Sequence, residues 1–312
     1  MKVMVINMNQ KLRSNLLLLC TALIWGFAFV AQRVGADYLG PFAFNGIRFA
    51  LGSLSLIPVI LIFGREKSHK EGNNVSLHKS YDWKQTRYAA LAGGCALFLA
   101  SALQQWGVAL TSAGKAGFMT GLYTVLVPII GVLFLHRRTG IFMWCGAVMA
   151  VIGLYLLSMT GYEKPGLGDL VLIIGAVIWA LHILIIDYFN QKNIHSLGFA
   201  CGQFAVCAVL NLICAVLFED ITVAAVMAAG VPLLYGGLMS VGVAYTLQIL
   251  GQKGADPTAA SIILSLESMF SALGGALILH ETMTVGGYIG CICIFIGIIL
   301  AQLPQKSGKN QA

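Results

Sequence analysis

The chain contains an internal repeat whose two copies both lie in strongly apolar surroundings. Residues 93–157 align with residues 237–301 at a constant offset of 144 and without a gap, so that Gln104 falls on Gln248. If each half holds an odd number of membrane spans, the second half enters the membrane from the opposite side. Inverted repeats of this kind place a binding site at their interface and exchange access between two packings. The repeat therefore indicates a transporter.

Composition supports a membrane environment. Hydrophobic residues make up 58% of the chain and charged residues 10%, whereas soluble domains carry about 25% charged residues. A chain of 312 residues cannot hide this much apolar surface in one soluble core, so lipid must cover it. The 36 glycines are typical of closely packed transmembrane helices. The eight cysteines lie in apolar runs without metal-ligand spacing, so we expect no metal and no cofactor.

Ten apolar runs of about twenty residues predict ten transmembrane helices. Long continuous runs favour helices over the alternating strands of a barrel. The first run is long for a cleaved signal peptide, and nine further runs follow it, so we interpret it as a span. The predicted spans are Asn15–Val34, Pro41–Phe63, Ala89–Leu110, Ala113–Leu135, Ile141–Met159, Asp169–Phe189, Leu197–Phe218, Val231–Gly251, Pro257–Leu279 and Val285–Leu303.

The basic residues predict how these spans are oriented. With the N-terminus inside, the outer side holds Arg33, Lys115 and Lys164. The inner side holds fifteen lysines and arginines: Lys2, Lys11, Arg13, Arg65, Lys67, Lys70, Lys79, Lys84, Arg87, Arg137, Arg138, Lys192, Lys253, Lys306 and Lys309. The positive-inside rule then places both termini in the cytoplasm. The net charge of +7 thus fits a membrane protein and does not require a nucleic-acid partner.

Several short motifs resemble the drug/metabolite transporter superfamily in its EamA-type ten-helix branch. They are Ala-Leu-Ile-Trp-Gly at 22–26, Arg48-Phe49, Gly168-Asp169 and Leu266-Glu267. The resemblance implies an all-α integral membrane protein of two inverted five-helix repeats, with EamA-like domains at 15–159 and 169–303. It also implies secondary transport of metabolites such as amino acids, often as export across the bacterial inner membrane.

Two positions depart from the family pattern. Members usually have proline directly after the glutamate of the ninth span, where this chain has Ser268, and often have glutamate where it has Arg137. Pro128 lies in the fourth span, one turn beyond the position that matches Ser268. We therefore expect the helix kinks of this chain to be placed differently.

Three ionisable residues lie well inside predicted spans, away from the span ends, where a charge costs at least ~2.5–3.5 kcal/mol. Glu267 is the deepest, and it is either a proton carrier or substrate anchor, or a protonated carboxyl that bonds a neighbouring helix. His182 lies at nearly the same depth and can pair with Glu267 or simply pack between helices. Arg48 can hold a substrate carboxylate in a bidentate fork or cap main-chain carbonyls.

Further cavity candidates are polar or aromatic residues at related positions of the two repeats. Glutamine side chains at such positions line a cavity or join helices, and the aromatic side chains can form its walls. Lys115 is expected to reach the interface instead. These further candidates are Trp25, Gln104, Tyr123, Gln203, Tyr245 and Gln248, and Tyr123 is the repeat mate of Glu267.

Four functions are compared. The first is a secondary transporter, in the exporting direction, of small polar metabolites such as amino acids, with the bilayer, the metabolite and protons as partners. The second is efflux of hydrophobic cations or drugs, with Glu267 as the anionic site. A lipid-modifying membrane enzyme would need a metal or phosphate site, such as clustered aspartates, which the sequence lacks. A membrane sensor would need a soluble domain, but the longest polar stretch is residues 64–87. We therefore expect a transporter and no enzyme; no feature of the sequence specifies an oligomeric state.

Overall fold

The structure is a computed structural model that describes residues 2–63, 81–111, 113–136, 139–158, 166–278 and 284–303. Every regular element in these ranges is a helix. Nine of the helices are long and apolar enough to cross a membrane, and a tenth apolar helix, Ile141–Leu156, is shorter. Most of the predicted polar loop, Arg137 and the side chain of Lys115 lie outside the described residues.

We number the ten spanning helices α1 to α10. Seven are single, unbroken helices: α1 Lys2–Gly35, α2 Pro41–Phe63, α3 Trp83–Leu110, α5 Ile141–Ser158, α6 Leu167–Asn190, α7 Ser196–Phe218 and α10 Val285–Gln302. Three others have more than one piece: α4 is Ala113–Gly121 and Tyr123–Leu135, α8 is Gly230–Leu234, Tyr235–Tyr245 and Thr246–Gln252, and α9 is Pro257–Leu264 and Leu266–Ile278. A short helix, Val223–Ala228, precedes α8.

Most helices begin and end within a few residues of the predicted bounds, but α1 and α3 begin earlier. The prediction started these spans at the first apolar residue, whereas a helix continues into water when its polar turns are capped. Helix α3 shows the reason, because Asp82 accepts a hydrogen bond from the main-chain N–H of Gln85 at 2.9 Å. This N-cap satisfies one of the free donors of the first turn.

Helices α4 and α9 are broken near their middles, where the sequence predicted continuous spans. The breaks fall at Leu122 and Ser265, which are repeat-related to within one residue. In α9 the Ser265 hydroxyl donates to the carbonyl of Ile262 at 2.7 Å, a local bond that competes with helix continuation. Tyr123 and Glu267 lie in the first turns after the breaks, so both breaks lie beside candidate site residues.

Paired hydrogen bonds between α4 and α9 follow the symmetry of the repeat. Thr124 donates to the carbonyl of Ser261 at 3.2 Å, and Ser268 donates to the carbonyl of Gly117 at 2.7 Å. An offset of 144 converts the first bond into the second, with donor and acceptor helices exchanged. The pseudo-two-fold axis therefore passes between the matching helices α4 and α9, whose chains run in opposite directions.

Helices α5 and α10 cross on the same axis through glycines. A Cβ built on Gly146 would lie 2.6 Å from the carbonyl oxygen of Gly297, and one built on Gly153 would lie 2.5 Å from that of Gly290. These two contacts are also exchanged by the repeat offset. Only glycine permits this close approach, which is typical of small-residue interfaces between membrane helices.

Replacing Gly153 with alanine is expected to destabilise the protein. The added Cβ would stand 2.5 Å from main-chain oxygen, so α5 and α10 must move apart, at a typical overpacking cost of about 1–3 kcal/mol. The check is the thermal unfolding midpoint of the purified protein in detergent. Gly166→Ala is the matched control, because nothing lies within 4 Å of its Cβ position. Equal midpoints for the two variants would contradict the close packing.

The remaining contacts complete two related halves. Helix α2 packs on α7 and α8, while α3 packs on α7 and α6; α1 packs on α8 and α9, while α6 packs on α3 and α4. Exchanging each helix of the first five with its mate in the second five reproduces this set. The predicted all-α membrane architecture of ten helices in two inverted repeats is confirmed. The division into separate domains at 15–159 and 169–303 stays a prediction.

Candidate functional site

A narrow cavity lies where the two repeats meet. Helices α1, α2, α3, α4, α6, α8 and α9 contribute to its wall. It leaves about 20 Å³ for the centre of a water-sized sphere, which is enough for a water molecule, so the walls must move apart to admit a metabolite. Seven of the nine predicted site residues line it: Trp25, Arg48, Gln104, Tyr123, Tyr245, Gln248 and Glu267.

Arg48 is the cation of this cavity, and its side chain is 2% exposed. Its Nε donates to Asn45 Oδ1 at 2.8 Å, and Asn45 in turn donates to the carbonyl of Ser101 at 2.9 Å. The guanidinium carbon lies 4.9 Å from the ring centroid of Phe49 and 5.7 Å from that of Phe44. Helix α3 thus holds Arg48 through Asn45, a positioning residue that sequence reasoning missed.

The terminal nitrogens of Arg48 are the groups available to a ligand. Among the described residues, no carboxylate lies within 4.0 Å of the Arg48 guanidinium. The salt bridge in this part of the chain joins Arg33 to Asp37. A buried cation without a carboxylate partner is costly. A planar guanidinium also presents parallel donors that match a carboxylate in bidentate geometry. Arg48 can therefore bind an anionic group that enters the cavity.

Glu267 is the carboxyl group of the same cavity and bonds its own repeat mate. Tyr123 Oη donates to Glu267 Oε1 at 3.0 Å, and both side chains are buried. Because each residue is the image of the other, this bond lies on the pseudo-two-fold axis. The cavity thus carries a guanidinium, Arg48, and a carboxyl, Glu267, which do not form a salt bridge with each other.

Aromatic side chains form one wall between these two groups. The ring centroid of Trp25 lies 4.6 Å from that of Tyr245, and Trp179 lies 6.1 Å from Tyr245 in a stacked arrangement. Trp25 Nε1 donates to the carbonyl of Ser240 at 3.1 Å, which fixes its ring. Trp179 was not among the predicted site residues, although it aligns with Trp25 in the first spans of the two halves, which match more weakly than residues 93–157 and 237–301.

His182 and Gln203 are the two predicted site residues that do not line the cavity. They lie behind the aromatic wall and bond each other, with 3.2 Å between His182 Nε2 and Gln203 Oε1. The pairing of His182 with Glu267 that depth suggested is replaced by this contact. The helical phase explains the difference, because Trp179 and Ile183 of α6 face the cavity, whereas the His182 ring packs edge-on against Trp179 and Tyr245, with ring centroids 5.7 and 6.3 Å away.

Glutamines border the cavity toward both ends of the bundle. Gln104 Nε2 donates to Gln32 Oε1 at 3.1 Å, and Gln105 Nε2 donates to the carbonyl of Gln32 at 3.0 Å. These bonds join α3 to α1. Gln248, the repeat mate of Gln104, lines the cavity toward the opposite end. Gln32 and Gln105 were missed because a glutamine alone in an apolar run does not reveal which way it faces.

Helix α8 is a π-helix over Tyr235–Tyr245, opposite Arg48. A Cβ on Gly236 would lie 3.3 Å from Arg48 Cδ, so any side chain at this position would crowd the arginine. Ser240 and Tyr245 of the same segment line the cavity. π-Helical turns are rare and recur at functional sites. Within the described residues, no group of three or more histidine, cysteine, aspartate or glutamate side chains is placed to hold a metal.

Comparison with known proteins identifies the family. Residues 12–159 and residues 166–303 each match the EamA-like transporter family. The chain belongs to this family. The resemblance drawn from the short motifs is thereby confirmed, and the two EamA matches follow the two repeats seen in the helix packing. Family membership supports a general transport function for a multi-pass integral membrane protein.

Relatives of this EamA chain are also named as transporters. An "Uncharacterized transporter" of Archaeoglobus fulgidus is 29% identical over 94% of this chain and 87% of its own length. The "Uncharacterized transporter YoaV" of Bacillus subtilis is 23% identical over 91% of this chain and 94% of its own length. A solved crystal structure superposes with a TM-score of 0.75 at 19% identity, covering 96% of this chain and 99% of the other. At that identity the likeness concerns the fold alone.

Proposed function

We propose that this EamA protein is a secondary transporter that exports small carboxylate-bearing metabolites, amino acids foremost, across the bacterial inner membrane. The observation that carries the proposal is Arg48, a buried cation that lines the central cavity without a carboxylate partner among the described residues. Charge-assisted bonds from a guanidinium to a carboxylate are among the strongest hydrogen bonds in proteins. Arg48 is the anchor for the carboxylate.

Glu267 gives the same cavity a partner for a positive group. A zwitterion has one carboxylate and one ammonium, and Arg48 and Glu267 offer the complementary pair without neutralising each other. The aromatic wall of Trp25, Trp179 and Tyr245 packs against the rest of the solute. Protons are the proposed coupling ion, because Glu267 can alternate between its charged and neutral forms during transport.

The inverted repeats provide the route for alternating access. Their related packings around the axis between α4 and α9 can exchange roles, which opens the cavity to one side and then the other. We place both chain termini on the cytoplasmic side, as the basic residues predict. No chemical step is assigned to the cavity, so the protein is proposed to move its substrate unchanged.

Efflux of hydrophobic cations is the second candidate, and the aromatic wall beside Glu267 favours it. Aromatic faces and a carboxylate attract organic cations. Arg48 argues against this assignment, because a second positive charge in the same narrow cavity repels a cationic solute. The carboxylate-bearing substrate is therefore preferred.

Transport by purified protein in proteoliposomes tests the two candidates against each other. The panel contains radiolabelled neutral, acidic and basic amino acids and one lipophilic cationic dye, each with and without an imposed pH gradient. We expect protein-dependent movement of at least one amino acid, its stimulation by the gradient, and competition by other carboxylates. Movement of the dye with no movement of any amino acid would favour cation efflux and would overturn the carboxylate proposal.

A further inference from the structure

A polar recess lies at the face of the bundle where the first part of α1 meets the end of α10. Lys11 Nζ donates to the carbonyl of Gln302 there, at 3.3 Å, and we call this side the terminal face. The recess leaves about 470 Å³ for the centre of a water-sized sphere, compared with about 20 Å³ in the central cavity. Its lining includes Lys11, Asp187, Asn190, Gln252 and Lys253.

One helical turn separates this recess from the central cavity. On α6, Ile183 lines the cavity and Asp187 lines the recess; on α8, Gln248 lines the cavity and Gln252 lines the recess. Four residues of α-helix span about 6 Å. The floor of the cavity is therefore also the roof of the recess, and it is formed by the ends of α6 and α8.

Two side-chain amides tie these helix ends together. Gln252 Nε2 of α8 donates to the carbonyl of Ile183 on α6 at 3.3 Å. Asn190 Nδ2 of α6 donates to the carbonyl of Ile249 on α8 at 2.9 Å. The two bonds cross the partition in opposite directions. We call Asn190 and Gln252, with these two bonds, the amide latch.

The latch leaves half of its own polar groups unpaired. Asn190 Oδ1 and Gln252 Oε1 are buried, and neither has a hydrogen-bond partner within the described part of the chain. A buried acceptor without a donor is unfavourable, whereas water can reach both oxygens once α6 and α8 separate. The closed latch is therefore held by two bonds and opposed by two unpaired oxygens, a balance that suits a reversible contact.

The opposite end of the cavity has a tie of the same kind between the repeat-related helices. Gln105 Nε2 of α3 donates to the carbonyl of Gln32 on α1 at 3.0 Å, and Gln105 Oε1 is also buried without a partner in the described residues. The repeat converts α1 and α3 into α6 and α8. Each end of the cavity is thus closed by amides that bond main-chain carbonyls, consistent with its small free volume.

We propose that the recess is the entrance to the transport route on the terminal face and that the amide latch is its gate. This inference rests on the proposed function, since it gives the transported carboxylate a path to Arg48. Separation of α6 from α8 breaks both bonds of the latch and joins the recess to the central cavity. The lysines at the rim, Lys11 and Lys253, attract the carboxylate toward the opening.

Water access to the cavity from each side tests the gate without any substrate. The reporter is Gln248→Cys in the full chain, with the eight native cysteines replaced by alanine. It is reacted with an anionic, membrane-impermeant methanethiosulfonate in vesicles of both orientations. The latch is removed by Asn190→Leu with Gln252→Met, which keep the approximate volumes and delete the amides. We expect labelling from the terminal face to accelerate about tenfold, the effect of losing two buried hydrogen bonds.

Gln191→Met is the matched control for the latch. Gln191 lines the same recess, but its amide donates to Asp187 of its own helix at 2.9 Å and does not cross the partition. Its labelling rate should equal that of the parent reporter chain, in which the latch is intact. Ile183→Cys serves as a second reporter on the cavity wall if the first variant does not purify as a folded protein.

Three results would overturn the gate. The first two concern the latch variant: an unchanged labelling rate, or acceleration confined to the face opposite the terminal face. Acceleration in the Gln191→Met control to the same degree would also overturn it, because general loosening of the recess would then explain the result. None of these measurements requires transport. A failed amino-acid panel and a failed gate are therefore separate outcomes.

Discussion

Replacing Arg48 with alanine is expected to reduce amino-acid transport by about 100-fold, because truncating one partner of a buried charge pair costs about 2–5 kcal/mol. The guanidinium is the cation that lines the central cavity, and no carboxylate neutralises it in the described residues. Initial rates in proteoliposomes at equal protein content provide the measurement. Arg48→Lys should recover only part of the rate, since an ammonium cannot form the bidentate pair.

Arg33→Ala is the control for this substitution. Arg33 lies in the last turn of α1, is partly exposed and already bonds Asp37 at 2.8 Å. An exposed ion pair within one helix contributes little, so this variant should transport at nearly the parental rate. Equal rates for Arg48→Ala and the parent would mean that Arg48 supports the packing of α2 and does not anchor the substrate.

Asn45 offers a way to separate anchoring from folding. Asn45→Leu keeps the arginine and removes the acceptor that holds its Nε. If Arg48 binds the carboxylate, the freed guanidinium should bind it less well, so KM rises more than kcat falls. The conservative Asn45→Ser should recover part of the affinity. A purely structural role would instead lower the amount of folded protein without this change in KM.

The fold was largely predictable because its pattern of apolar helices occurs twice in the sequence. Long apolar runs gave ten spans, and the unbroken offset between residues 93–157 and 237–301 gave their inverted relation. The breaks in α4 and α9 were not predicted. Leucine, the residue at 122, ordinarily favours helix. Ser265 lies at a helix end where its hydroxyl donates to the carbonyl of Ile262, and a serine by itself does not predict this bond. Such breaks depend on how the two helices meet at the axis.

The candidate site was predictable where repeat position and burial pointed the same way. Tyr123 and Glu267 are repeat mates at related depths, and the structure joins them directly at the axis. His182 does not line the cavity, and depth along a helix does not tell which side a residue faces. The same limit hid Asn45, whose importance comes from a contact with Arg48 that only the phase of α2 against α3 creates.

Glu267 is the cavity group best suited to carry a proton. The titratable side chains that line the cavity in the described part of the chain are Arg48, Tyr123, Tyr245 and Glu267. Guanidinium and phenol groups ordinarily titrate far above neutral pH, so the carboxyl is the group among these that exchanges a proton most readily. His182, the other candidate, bonds Gln203 and does not line the cavity. If a proton accompanies the substrate, we therefore expect Glu267 to bind and release it.

Glu267→Gln is expected to abolish stimulation of transport by a pH gradient while leaving substrate exchange without a gradient measurable. The amide keeps the shape of the side chain, and its oxygen can still accept the bond that Tyr123 donates at 3.0 Å, but it cannot titrate. Tyr123→Phe is the matched control, because it deletes that bond and keeps the carboxyl; it should retain gradient stimulation at a lower rate. Both variants are compared with the parent in the same proteoliposomes, with the gradient imposed or collapsed by an ionophore. Parental stimulation in Glu267→Gln would exclude proton transfer at this position and leave the Tyr123–Glu267 bond as a contact that holds α4 and α9 together on the axis.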